Sequence, residues 1–286
     1  MSARGWVLFA AMSVIWGIPY LLIKIALEEL PVPVLILART LIGAAVLLPV
    51  AWSRANLRNL LAHWKPVLAF AFFEVIAAWL LLTNAERHLS SSTTGLLIAA
   101  SPIIATVLDR ATGSTHRLDA LRWAGLIIGL AGVAVLAGPG LTGGGAWPVV
   151  QVLLVATCYA IAPLIAARYL ADVPALPMTA GCLVFAALVY TVPAALQWPT
   201  GAPGARVLVA TVLLAVVCTA LAFVVFFALI REVGPTRAVV FTYVNPAVAL
   251  VAGVLILAEP LTVFNVVGLA LILVGSVLAT HDSSTA

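Results

Sequence analysis

Charge is what this chain has least of. Lys and Arg number fourteen and Asp and Glu ten, together 8% of 286 residues, against roughly 25% in an ordinary soluble domain. With 64% of the chain hydrophobic, a soluble fold could not cover itself with polar groups, so the bilayer must be the solvent for most of it. The formal charge is +4, but the cations sit at the ends of apolar segments, where they orient a protein in a membrane and form no surface for nucleic acid. Cysteine is also scarce. Cys158, Cys182 and Cys218 each lie inside an apolar stretch and read as small packing residues, with neither a disulfide framework nor a metal site implied.

Other absences narrow the function. The chain has no Gly-xxxx-Gly-Lys-Ser/Thr phosphate loop, which argues against a nucleotide-driven pump. Its acidic residues are scattered singly apart from Glu28-Glu29, which argues against an intramembrane transferase holding Mg²⁺ on phosphates. The expectation is therefore no enzyme, no cofactor and no metal. Met1 to Arg4 before a long apolar run resembles a secretory signal, but a clear small-residue cleavage site is missing and a retained first span is expected.

What is present is length in apolar runs. A bilayer-crossing helix needs about 20 mostly apolar residues. The candidates are Trp6–Leu27, Pro33–Trp52, Pro66–Thr83, Thr93–Leu108, Arg122–Ala137, Trp147–Ala167, Leu176–Leu196, Val207–Ile230, Thr236–Leu257 and Val263–Thr280. Breaks fall at Pro31-Val32-Pro33, Gly138-Pro139-Gly140 and Gly143-Gly144-Gly145. With the N-terminus in the cytoplasm, ten of the fourteen basic residues fall in inner segments and only Arg87 and Arg206 in outer loops. That bias places both termini inside.

The chain also repeats itself. Arg87, Ser101-Pro102, Leu118, Gly125 and Gly132 return as Arg231, Asn245-Pro246, Leu261, Gly268 and Gly275, at an offset of 144 residues (102 to 246) that slips to 143 (125 to 268). Residues 1–142 and 143–280 are the two units, followed by a polar tail over 281–286 that is expected to be disordered. Five spans per unit is odd, so the second enters the membrane from the opposite side. The expected fold is all-α, ten transmembrane helices as two inverted five-helix repeats. Such a pair suits a transporter that opens one site alternately to either side.

Polar groups inside the apolar spans mark the candidate route. Pro102 and Pro246 free the carbonyls of Ile98 and Thr242, beside Ser101 and Asn245. Freed carbonyls at that depth need protein or a wet cavity to satisfy them, so each pair reads either as a packed kink or as a cavity wall. In span one Trp16, Tyr20 and Lys24 recur every four residues, on one helical face. Pro19 frees the Ile15 carbonyl and Gly17 permits a close approach; Pro163 and Arg168 are their echoes in the second unit. Lys24 reads as a cation for an anionic substrate group or as a side chain snorkelling to headgroups.

Glu74, at the centre of span three, stands out because a charge there costs roughly 2.5–3.5 kcal/mol. It reads as an ion-pair partner of Arg39 or Lys24, as a carboxylate carrying a coupling proton, or as a contact for a substrate amine. Arg39 pairs with Glu74 or a substrate carboxylate, or snorkels. Trp79 and Tyr243 complete the set of cavity candidates. Glu86-Arg87-His88 and Arg231-Glu232 hold matching span ends and read as alternating gates or as solvated loop charges, and Glu28, Glu29, Asp172 and Asp282 as loop charges. Ser90 to Thr94 suit the capping of span four. Gly125, Gly129 and Gly132, partly repeated by Gly268 and Gly275, allow close helix approach, either within the bundle or to a second protomer in a homodimer.

Taken in order, Trp16-Gly17 with Lys24, Arg39, the Ala85 region, Pro102, Asn245-Pro246, the Glu259-Pro260-Leu261 turn, Gly268 and Gly275 resemble the EamA-like proteins of the drug/metabolite transporter superfamily. The first unit departs from that pattern: it has His116-Arg117-Leu118 where the second has Glu259-Pro260-Leu261. The resemblance implies a secondary carrier of the inner membrane whose relatives mostly export amino acids, other metabolites or toxic compounds through a central cavity. Expected partners are a small-molecule substrate, with or without proton coupling, and the lipid bilayer. Export is favoured over uptake by the same fold; a non-transporting scaffold or sensor would leave the intramembrane polar residues without a purpose.

Overall fold

A computed structural model of the chain describes residues 1–51, 53–111, 120–142 and 145–279. Trp52, His116-Arg117-Leu118, Gly143-Gly144, Thr280 and the tail over 281–286 lie outside the described residues. Among those described, every regular element is helical. Eight helices are long and apolar enough to cross a bilayer, and Asn245–Leu257 and Val263–Ala279 are shorter apolar helices.

In chain order the first part holds α1 (Ala3–Ile15), α2 (Pro19–Ala26), α3 (Val32–Ala51), α4 (Arg54–Ala62) and α5 (Trp64–Ala71). A π-helical turn, Phe72–Ala77, leads into α6 (Ala78–Ala85), followed by α7 (Ser91–Ile98), α8 (Ser101–Ala111) and α9 (Ala120–Thr142). The rest comprises α10 (Ala146–Tyr169), α11 (Ala175–Leu196), α12 (Ala205–Ala215), a second π-helical turn Val216–Leu221 and α13 (Ala222–Val233). The short α14 (Pro235–Ala238), a 3-10 turn Val239–Tyr243, α15 (Asn245–Leu257) and α16 (Val263–Ala279) complete it.

Large apolar side chains face outward all round the bundle, among them Leu130, Leu188 and Leu255, each about two-thirds exposed or more. Water would not tolerate so broad an apolar surface, whereas hydrocarbon does. The principal core gathers α2, α3, α6, α10, α11 and α12. Packing recurs in matched pairs: α2 on α12 and α10 on α5, α3 on α12 and α11 on α5, α1 on α13 and α10 on α6. α3 also meets α11, α7 meets α15, and α9 meets α16.

The last pair carries the glycines. An added Cβ at Gly125 would lie 2.8 Å from the Gly275 carbonyl oxygen, and one at Gly132 would lie 2.8 Å from the Ile272 nitrogen. The small-residue surface is therefore filled inside the chain, backbone on backbone.

Helix breaks fall where proline or a bulge removes backbone bonds. Before Pro19 the helix gives way at Trp16–Ile18, and the Gly17 N–H donates to the Val14 carbonyl at 3.0 Å, missing Ser13. Trp16 thus sits in a turn, and the single helical face expected for Trp16, Tyr20 and Lys24 is interrupted. The break lets α15 close in, since a Cβ at Gly17 would meet Val248 Cβ at 2.5 Å. α7 likewise gives way before Ser101, and a 3-10 turn precedes Asn245. Pro163, in contrast, lies inside the unbroken α10.

One turn is strained. Ala258, capping α15, has φ 53° and ψ 32°, a left-handed conformation that costs a non-glycine residue roughly 1–2 kcal/mol. Ala258→Gly is expected to raise stability by about 1 kcal/mol. A higher thermal midpoint of the detergent-solubilised variant checks it; an unchanged midpoint refutes it.

Candidate functional site

Two π-helical turns build the middle of the bundle, and they stand 144 residues apart (72 to 216). A π turn widens the helix by one residue and turns side chains off the regular register. In the second, the Thr219 hydroxyl donates to the Leu214 carbonyl five residues back, at 2.9 Å, and accepts from Arg39 Nε, also at 2.9 Å. The Arg39 guanidinium carbon lies 3.5 Å from the centroid of the Trp79 ring. Arg39 is buried, so α3 carries a cation into the core that is clamped between a hydroxyl and an aromatic face.

The first π turn carries Glu74, half-buried and within electrostatic reach of Cys158 and Tyr159 on α10 and Cys182 on α11. Its backbone is tied across the bundle, because the Tyr190 hydroxyl donates to the Ile76 carbonyl at 2.7 Å. Among the described residues Glu74 has no salt-bridge partner. The ion pair with Arg39 or Lys24 is therefore corrected: Arg39 is committed to Thr219 and Trp79, and Lys24 lies at the end of the bundle. Tyr159 is within electrostatic reach of both Glu74 and Arg39, and Tyr20 is within reach of Arg39 and Tyr159. Tyr20, Arg39, Glu74 and Trp79 are thus brought together, with Tyr159 and Thr219 as members that sequence did not single out.

The remaining candidates are placed elsewhere. Trp16 packs on Phe223, Phe226 and Phe241, with ring centroids 5.1–5.7 Å apart. The Ser101 hydroxyl donates to the Ile98 carbonyl at 2.6 Å, the group that Pro102 frees. With its amide turned to donate, Asn245 Nδ2 reaches the carbonyls of Ser13 and Phe241, each at 3.1 Å. Ser13 O is the acceptor that the Gly17 turn leaves behind. Both polar–Pro pairs therefore satisfy freed backbone, the packed-kink reading, while Pro246 is buried beside Asn245 and Tyr243 is half-buried in the 3-10 turn.

At one end, Lys24 Nζ donates to the carbonyls of Glu86 at 2.6 Å and Leu89 at 2.8 Å. The Glu259 carboxylate accepts from the N–H groups of Ser91 at 2.7 Å and Ser92 at 2.9 Å and from the Ser92 hydroxyl at 2.5 Å. It is an anion seated on the N-terminus of α7, while Ser90 caps the same helix through Thr93 N–H. Burial pushes the Glu259 carboxyl upward, but the Ser92 and Ser91 hydrogen bonds outweigh it and hold it below the ordinary carboxylate value. Glu28 pairs with Arg206 at 3.4 Å and Glu29 accepts from Gly204 N–H at 2.6 Å. At the other end the Ser2 hydroxyl donates to Glu232 at 2.5 Å, with Arg4 3.9 Å away.

A cavity of about 580 Å³ opens at the Glu28 end between Leu30, Asn84, Arg87, Gln151 and Gln197. Another, of about 240 Å³, lies between α8, α9 and α10 and is apolar. Neither is lined by the Arg39–Glu74 group.

The profile of the EamA-like transporter family matches residues 3–138 and 146–280. The chain belongs to the EamA-like transporter family. Among its relatives, the uncharacterized transporter YvbV of Bacillus subtilis is 26% identical over 99% of this chain and 93% of its own length. The uncharacterized inner membrane transporter YedA of Escherichia coli K12 is 27% identical over 94% and 88%. A Streptantibioticus cattleyicolor protein named "Probable terminal-alkyne amino-acid exporter" is 28% identical over 97% and 93%. One solved crystal structure matches with a TM-score of 0.69 at 22% identity, over 98% of both chains, a likeness of fold. As an EamA-like transporter the chain works in a membrane on a small molecule.

Proposed function

We propose that this EamA-like chain is a secondary exporter of small amphipathic metabolites, amino acids or drugs, working by alternating access between two inverted five-helix units, residues 1–142 and 143–280. The observation that carries the reading is the paired construction of the middle. Matched π turns present Glu74 from one unit and the Arg39-binding Thr219 from the other. Chain direction supports inversion. α6 ends beside Lys24 and α13 ends beside Arg4 and Ser2, at the opposite end. The equivalent helices therefore run oppositely.

In this reading both termini are cytoplasmic, the membrane is the inner one, and ten helices span it, with α15 and α16 as the two short ones. The named amino-acid exporter among the relatives favours outward flux of zwitterionic cargo. Tyr20, Trp79 and Tyr159 supply amphipathic walls, Arg39 a cation for a carboxylate, and Glu74 a carboxylate that takes a proton or a substrate ammonium in turn. Uptake is the alternative for the same fold.

Extracellular metabolomics of cells with and without the protein should name the cargo, followed by flux in proteoliposomes under an imposed proton gradient. Glu74→Gln should abolish gradient-dependent flux and leave folding intact. Wild-type flux from that variant would reject coupling at Glu74, and no difference in exported compounds under any gradient would favour a scaffold.

A further inference from the structure

Glu86 follows the last residue of α6 and is 0% exposed, yet neither of its carboxylate oxygens has a hydrogen-bond partner. Its neighbours in sequence, Arg87 and His88, are exposed. An ionised carboxylate held away from water without a donor is strongly disfavoured, and such a group takes a proton instead. The Lys24 cation does not rescue it, since its ammonium donates to the main-chain carbonyls of Glu86 and Leu89 and not to the carboxylate.

The groups that face Glu86 come from three other elements: Tyr20 and Lys24 on α2, Arg39 on α3, and Glu259 in the turn between α15 and α16. Glu259 is the telling one. The two carboxylates lie within electrostatic reach of each other, one charged because α7 supplies it with N–H and hydroxyl donors, the other given none. Environments that divide a pair in this way assign the proton to the undonated member. Burial, the largest cause, pushes the Glu86 carboxyl well above its ordinary value, and Glu259 adds to this; Lys24 and Arg39 act the other way without prevailing.

We propose that Glu86 is a proton-binding site that latches this end of the transporter: it is neutral while α2, α6, α7 and the Glu259 turn are packed together, and it releases its proton when they part and water enters. The proposal rests on the alternating-access reading and names the ion and the residue that bias one of its two closures. The sign follows from burial. A carboxyl raised in the closed form stabilises that form at low pH, and the stabilisation is lost as pH rises through the raised value. Acid on this side shuts the gate and base opens it. Because the proton is taken up and released on the same side, the latch answers to the pH on that side.

The test is thiol accessibility in the full chain. Ser91 is fully buried at the junction, so S91C in lipid nanodiscs reports opening through its rate with a soluble methanethiosulfonate reagent. W198C, in the exposed loop after α11, normalises for thiol ionisation, and the parent chain with its three buried cysteines gives the background. Normalised labelling of S91C should rise about tenfold between pH 5 and pH 8. With E86Q, the isostere of the protonated acid, it should stay low and flat. A flat profile in S91C alone overturns the latch even if E86Q does not fold, and so does an equal rise in S91C/E86Q. Flux that persists alongside a flat profile refutes the latch and leaves the transport reading standing. A pH-dependent profile without flux of any cargo refutes transport and leaves the latch.

Discussion

Gly275→Ala is expected to be among the most damaging single-methyl additions in this chain. The Cβ it adds would fall on the backbone nitrogen and Cα of Gly129 and 2.7 Å from the Gly125 carbonyl oxygen. A clash with the end of a flexible side chain is relieved by a rotamer change; a clash with helix backbone is not. α9 and α16 would have to move apart along their shared length, and with them the contacts that Gly125 and Gly132 make possible. Overpacking costs typically about 1–3 kcal/mol where neighbours can yield, so a loss of about 3 kcal/mol or more is expected. That is a large share of a folded protein's roughly 5–15 kcal/mol. Gly181→Ala, inside α11, is the control, since its added Cβ would meet only the Leu60 side chain, at an ordinary 3.5 Å. It should leave stability unchanged or raise it by up to about 1 kcal/mol through helix propensity. Thermal melts of the two variants in detergent decide the matter; equal midpoints would overturn the backbone-contact account.

The glycine stripe shows what a sequence of this kind displays. Its period announces a close helix contact, and the repeat names the second helix, because Gly268 and Gly275 stand where Gly125 and Gly132 do. Apolar runs and proline positions are legible for the same reason: each records a backbone constraint that is local. The Ser101–Ile98 bond could be foreseen from Pro102 alone. The π turns could not. Phe72–Ala77 and Val216–Leu221 contain no proline or glycine to mark them, and the bonds that hold them, Tyr190 to Ile76 and Arg39 to Thr219, join residues 114 and 180 positions apart. The burial of Glu86 is hidden for a related reason. Flanked by Arg87 and His88, it reads as one member of a solvated charge cluster, and only packing from α2 and the Glu259 turn buries it. Glu259 itself carried a hint, an acid immediately before Pro260, but its target, the α7 N-terminus, is set by tertiary structure.

Arg39→Lys, conservative by charge, should be nearly as damaging as Arg39→Ala. The guanidinium does two things at once that an ammonium cannot: its plane covers the Trp79 ring at 3.5 Å while Nε donates sideways to Thr219 at 2.9 Å. A desolvated cation–π contact is worth about 2 kcal/mol, and a hydrogen bond from a charged donor about 1.5–3 kcal/mol. Lysine retains at most one of them, and its compact ammonium is the harder ion to strip of water in a site this buried. The expected cost is about 2–3 kcal/mol of stability. Because Thr219 belongs to one π turn and Trp79 follows the other, the loss should also loosen the two turns relative to each other. Transport should then fall at least tenfold even at temperatures where the variant is folded. Thr219→Val keeps the volume and removes both the acceptor for Arg39 and the donor to the Leu214 carbonyl; the second loss is the same in either Arg39 background, so Arg39→Lys and Thr219→Val combined should cost less than the two single costs summed. Melting curves and proteoliposome flux for the three variants measure this coupling. Full additivity would mean that Arg39 and Thr219 do not act on each other, and the π turns would lose the bond proposed to join them.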